Sequence, residues 1–175
     1  ADLLSKRALL TPDREALLDV ATGRRFTYAQ LNDRANCLAN FFQDKLGVKK
    51  GDRISILAQN SVIYVDLFYG LAKIGAIFAP LNWRLVAREL SYIVNDCGSS
   101  VLLCGPEFVE TLAEMGSDIK VNHIVSLEGA QIPGAWLYEQ ELASASLAQP
   151  ARPAVGDEEG HCILYTSGTT GRPKG

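Results

Sequence analysis

At 175 residues the chain is one domain's worth of sequence, long enough to bury roughly two-thirds of its unfolded surface without disulfide or metal staples. Seventeen Lys and Arg against twenty Asp and Glu leave a net charge of −3, which excludes the basic footprint that nucleic acid or an anionic membrane surface demands. The apolar fraction, 47%, is too high for a disordered chain, and no stretch reaches the ~20 apolar residues of a membrane span.

Asp2 to Leu10 reads as a short opening helix. Ala16–Val20 and Arg24–Phe26, split by Ala21-Thr22-Gly23, read as a small hairpin. Thr27 and Gln30 then form a capping box. Behind it Leu31, Ala35, Leu38, Ala39, Phe42 and Leu46 fall on one helical stripe, which Gly47 closes.

Beyond Gly51 strands alternate with helices. Arg53–Ala58, Ala76–Ala79, Ser100–Leu103 and His123–Leu127 read as strands; Ser61–Ile74, Val86–Asp96 and Glu107–Met115 read as helices. Strand runs as apolar as Ile54-Ser55-Ile56-Leu57 and Val101-Leu102-Leu103 belong to a parallel sheet covered on both faces. The predicted class is α/β: a doubly wound, mainly parallel sheet flanked by helices in three layers, with right-handed crossovers. Strand order is not legible. Helix 61–74 carries charge only at Asp66 and Lys73, so it is expected to be largely buried, with the Lys73 ammonium snorkelling to water.

Pro133-Gly134, Pro150 and Pro153 interrupt the rhythm, predicting a short helix around Leu137–Ala143 followed by a surface linker. Gly160–Tyr165 returns to strand, and Thr166–Gly175 leaves it as a loop. The organisation is therefore an opening helix, hairpin and long helix over 1–52, βα repeats over 53–128, an irregular connection over 129–159, and a strand plus loop over 160–175.

Cys37, Cys97, Cys104 and Cys162 stand singly, with no CxxC or Cys/His metal spacing, and read as reduced core thiols of a soluble, cytoplasmic protein. Residues 1–10 hold no long apolar run, so no signal peptide is expected. A chain that starts without Met and stops just after a Gly-rich run reads as a piece of something longer.

The chemistry-bearing stretch is Tyr165-Thr166-Ser167-Gly168-Thr169-Thr170-Gly171-Arg172-Pro173-Lys174-Gly175. Glycines permit close backbone approach, so successive N–H groups can point into one concavity; hydroxyls add donors, and Lys174 and Arg172 add positive charge. That inventory fits a polyphosphate, although composition alone also fits a Gly/Thr surface turn. It is not a Walker A loop, because Pro173 stands five residues after Gly168 and Gly175 follows Lys174.

This string resembles the signature loop of the adenylate-forming (AMP-binding) superfamily, [YF]-T-S-G-[ST]-T-G-x-P-K-G, at every position. Phe26-Thr27-Tyr28-Ala29-Gln30-Leu31 and the stretch from Leu71 to Asn82 are also similar to that family, and Pro80–Leu85 leans toward acyl-CoA synthetases of the fatty-acid type. The resemblance runs from about Leu3 to Gly175.

It implies a ligase that uses ATP and Mg²⁺, makes an acyl-AMP from a carboxylic acid of fatty or similarly hydrophobic type, and passes the acyl group to coenzyme A. It further implies that Thr166, Ser167, Gly168, Thr169, Thr170, Gly171 and Lys174 contact phosphate, Arg172 being the variable position. No catalytic or metal-binding residue is identifiable in this chain, since the family's other site residues lie downstream; the chain is expected to be inactive alone. An adenylation domain loading a carrier protein and a non-catalytic nucleotide-binding module are the alternatives. A homo-oligomer stays open.

Other polar residues read as structural. His123 and His161 read as strand-end histidines, and Cys162 as a buried small hydrophobe. Asp157-Glu158-Glu159 reads as a solvated turn, and Trp83-Arg84 as a packing contact.

Overall fold

In the computed structural model, which describes residues 2–156, 158–166 and 173–175, the apolar runs form the middle of a five-stranded parallel sheet. Its strands are β3 (Arg53–Leu57), β4 (Ile77–Pro80), β5 (Ser99–Cys104), β6 (His123–Ser126) and β7 (Trp136–Leu137), in the order β4-β3-β5-β6-β7. Ahead of them β1 (Glu15–Leu18) and β2 (Arg25–Thr27) pair antiparallel as the hairpin. The helices are α1 (Leu3–Leu10), α2 (Tyr28–Asp44), α3 (Val62–Ile74), α4 (Ala87–Asp96), α5 (Val109–Met115) and α6 (Tyr138–Ser144).

Strand pleating sends alternate residues to opposite faces, and each face has its own core. Ile54, Ile56, Val101 and Leu103 pack with α2, α3 and Tyr138 of α6; Leu57, Leu102 and Cys104 pack with α4 and α5. Helices on both faces make the sheet doubly wound. The chain leaves β3 toward β4 and then crosses back to β5, so the direction of winding reverses between β3 and β5.

Local chemistry sets the helix ends. Thr27 Oγ1 accepts from the Gln30 N–H at 3.3 Å, and Gln30 Oε1 accepts from the Thr27 N–H at 2.9 Å, completing the expected capping box of α2. Helices α2 and α3 approach closely because position 70 has no side chain. A Cβ on Gly70 would lie 2.7 Å from Leu38 Cδ2 and 3.0 Å from the Ala35 carbonyl oxygen.

Both charges of α3 are buried. Asp66 accepts from Arg34 Nη2 at 2.7 Å and from the Tyr138 hydroxyl at 2.9 Å, which ties α2, α3 and α6 together. Lys73 corrects the snorkelling expectation: the side chain is buried, and Nζ donates to Asp2 and Ser5 at the start of α1 and to Asn32 of α2.

Three further expectations need correction. Residues 160–165 do not form a regular strand; only Cys162 bridges to Phe78 of β4, in parallel, with bonds of 2.9 Å from Phe78 N to His161 O and from Ile163 N to Phe78 O. Cys162 is accordingly exposed, because a single bridge at the sheet edge provides no second layer to cover it. The connection after β6 contains β7, which joins the sheet edge beside β6 and takes Leu137 out of the expected helix.

Candidate functional site

The loop stretch grows out of the open edge of β4. From the Cys162 bridge the chain runs to Tyr165, whose phenol donates to Asp96 Oδ2, at the end of α4, over 2.6 Å. Burial, and then the Asp96 carboxylate, raise that phenol above its usual pKa. Asp96 Oδ1 also accepts from Tyr92 of the same helix at 3.3 Å.

One residue further, the chain meets its own far end. Thr166 N donates to Lys174 O at 2.9 Å and Lys174 N to Thr166 O at 3.1 Å, a one-rung antiparallel ladder. Gly175 follows with no room for a side chain: a Cβ there would stand 2.7 Å from Tyr165 Cε2 and 2.8 Å from Ile163 Cγ2. The two ends of the motif, Thr166 and Lys174, are thus brought together, both exposed to solvent. Ser167, Gly168, Thr169, Thr170 and Gly171, together with Arg172, lie outside the described residues.

Of the residues read as structural, His123, His161, Trp83, Arg84 and Glu159 have the following contacts, and Asp157 lies outside the described residues. His123 opens β6 with its ring 6.4 Å from Trp136, and His161 packs edge-on against Phe68 at 4.6 Å, where burial lowers its pKa. Trp83 packs on Phe108, and the Arg84 guanidinium lies 4.4 Å from the Trp83 ring. Glu159 pairs with Lys50 at 2.8 Å. Burial pushes the Cys104 thiol up to about 12. Among the described residues, no group of three His, Cys, Asp or Glu could hold a metal ion, and no helix is long and apolar enough to cross a membrane.

Asp96 is the contact that sequence reasoning missed. It precedes Tyr165 by 69 residues, and an acid at a helix end carries no signal of a distant hydroxyl.

The AMP-binding enzyme family model matches residues 4–175, and the chain belongs to that family. It is 39% identical over 173 residues to the long-chain-fatty-acid–CoA ligase FadD13 of Mycobacterium tuberculosis, a match covering 99% of this chain and 33% of that protein. It is 39% identical over 157 residues to the crotonobetaine/carnitine–CoA ligase of Salmonella paratyphi A, covering 87% of this chain and 30% of that one. Among solved structures, the anthranilate CoA ligase AuaEII in complex with anthranoyl-AMP superposes with a TM-score of 0.91 at 26% identity, over 98% of this chain and 33% of that one. The inhibitor-bound N-terminal domain of FACL13 from Mycobacterium tuberculosis superposes with a TM-score of 0.84 at 36% identity, over 98% and 42%. The chain therefore spans about a third of the length of the curated relatives it matches.

Proposed function

We propose that this chain supplies the phosphate grip of a cytoplasmic, ATP-dependent acid–thiol ligase. In the reaction, a carboxylate oxygen attacks the α-phosphorus of ATP, the bond to the β-phosphate oxygen breaks, and acyl-AMP and pyrophosphate form. The thiol of coenzyme A then attacks the acyl carbon, losing its proton to solvent, and AMP departs with the bonding electrons. The observation that carries this reading is the Thr166–Lys174 rung, which closes the ends of a motif rich in N–H, hydroxyl and ammonium donors.

Within that grip Thr166 offers its hydroxyl, its N–H being taken by Lys174 O; Ser167, Thr169 and Thr170 carry hydroxyls and backbone N–H groups, Gly168 and Gly171 let phosphate approach the backbone, and Lys174 brings the cation. These donors offset charge gathering on the departing pyrophosphate, which is electrostatic stabilisation without proton transfer. The described residues offer no acidic cluster for Mg²⁺, and no step is assigned to the ion in this chain.

A fatty or similarly hydrophobic acid is the favoured substrate. Supporting it are the Pro80–Leu85 run and the extent of the match to a long-chain-fatty-acid–CoA ligase. The test is pyrophosphate exchange into ATP by the full-length enzyme across fatty, carnitine-like and aromatic acids, followed by thioester formation with coenzyme A. Exchange driven best by a fatty acid, with a CoA thioester as product, is expected. Exchange without any transfer to coenzyme A would point to a carrier-protein acceptor and overturn the reading.

A further inference from the structure

The Thr166–Lys174 rung is weakly tied to the sheet. Its upstream link is the Cys162 bridge, two hydrogen bonds made through Phe78 at the edge of β4. Between that bridge and the rung, Leu164 is exposed. One chain contact alone would leave the rung free to pivot about its attachment.

Tyr165 provides a second attachment on a different element. Its ring borders Gly175, which abuts the Lys174 strand of the rung, while its backbone continues directly into Thr166. Its hydroxyl is held by Asp96 at the C-terminal end of α4, at a distance typical of a hydroxyl donating to a carboxylate. α4 is anchored in turn by Leu90, Ile93 and Val94 in the second core. One residue therefore joins both arms of the rung to the layer beneath: its backbone runs into Thr166, its ring borders Gly175, and its hydroxyl reaches α4.

We propose that the Tyr165–Asp96 hydrogen bond is a positioning contact that sets where Thr166 and Lys174 stand relative to the sheet. The proposal rests on the phosphate-grip reading and deepens it. Tyr165 and Asp96 touch no reacting atom; they act through the rung. The raised pKa of the phenol keeps it a donor throughout the neutral range.

The test uses the full-length enzyme and its carboxylate-dependent pyrophosphate exchange, with ATP varied and thermal midpoints measured in parallel. Tyr165→Phe and Asp96→Ala should each lower kcat by roughly 5–20-fold with the KM for ATP little changed, the lower part of what a hydrogen bond to a charged group is worth, because the contact acts through the rung. Asp96→Asn, which keeps an oxygen acceptor, should restore kcat to within about twofold of wild type, and the Phe/Ala double variant should be no worse than either single one. Should Asp96→Ala fail to fold, Tyr165→Phe decides, since it removes only one oxygen atom. Wild-type kcat in Tyr165→Phe, a loss confined to KM, or an Asp96→Asn loss equal to that of Ala would each overturn the proposal. Lys174→Ala in the same assay separates the two claims: its loss of exchange beside an unaffected Tyr165→Phe leaves the phosphate reading standing and removes only the positioning role. Full exchange by Lys174→Ala removes both.

Discussion

Lys73 Nζ lies 2.8 Å from Asp2 Oδ2, in an ion pair that locks the first helix of the chain to α3 while the lysine side chain has no exposed surface. Ser5 Oγ at 2.7 Å and Asn32 Oδ1 at 2.9 Å complete the shell of acceptors, and Arg152 reaches Asp2 from the linker. Removing Asp2 leaves the fully buried Lys73 ammonium without its counter-charge, whereas removing the Lys73 charge leaves Asp2, which reaches solvent, still paired with Arg152 and bonded by Ser5. Asp2→Ala should therefore destabilise the chain by about 3 kcal/mol. Lys73→Met should cost clearly less, and urea denaturation of the two variants reads the order directly. Equal losses would contradict the account.

The same pair sets an acid dependence. Burial alone would raise the Asp2 carboxyl, but hydrogen bonds from Lys73, Ser5 and Arg152 outweigh it and hold the group well below the ordinary 3.8. A carboxyl depressed by folding takes its proton more readily in the unfolded chain. Its contribution is thus complete above the unfolded value and is lost as pH falls through the folded one. The stability gap between wild type and Asp2→Asn should hold steady from about pH 5 to 8 and narrow as pH drops below about 4. A gap that widened in acid would contradict the assignment.

Gly70 tests the contact between α2 and α3. A side chain there meets the Leu38 methyl at 2.7 Å and a backbone oxygen at 3.0 Å, and the second of these cannot swing aside. Gly70→Val should cost about 1–3 kcal/mol, as overpacking of a fitted core does. The denaturation midpoint measures it, and an unchanged midpoint would show that the helices can part without loss.

The elements legible in the sequence were those whose pattern is long or chemically marked. α2 declares itself through Thr27, Gln30 and a stripe reaching Phe42, and the apolar β3 and β5 through runs that only a doubly covered sheet can bury. β7 was illegible because Trp136 and Leu137 are too few to show any period. Lys73 was misread because its partner, Asp2, sits 71 residues away and nothing local marks the match. Cys162 looked buried because its neighbours Ile163 and Leu164 are apolar, yet the strand it implied makes one bridge and leaves Leu164 exposed. At the site, the motif identified the loop; the rung joining Thr166 to Lys174 and the Asp96 contact needed three dimensions.

The 175-residue chain by itself should make no acyl-adenylate. Adenylation requires the acid held in line with the α-phosphorus, and positioning can account for ~7–11 kcal/mol of such a barrier. The chain spans 33% of the FadD13 relative, and the grip proposed for it holds the pyrophosphate end of ATP alone. Purified chain and full-length enzyme should be compared in the exchange assay, with signal expected from the latter only. Exchange by the chain alone would mean that the machinery has been placed in the wrong part of the protein.

The most direct test of the phosphate grip is the carboxylate-dependent exchange of labelled pyrophosphate into ATP by full-length Thr166→Ala and Lys174→Ala enzymes, with thermal midpoints taken on the same samples. Both side chains belong to exposed residues outside the two cores, so the midpoints should match wild type. A lost hydrogen bond to a charged group is worth ~1.5–3 kcal/mol, which predicts exchange slower by roughly 10–150-fold. Wild-type exchange rates in both variants, with normal midpoints, would contradict the assignment of this loop to phosphate.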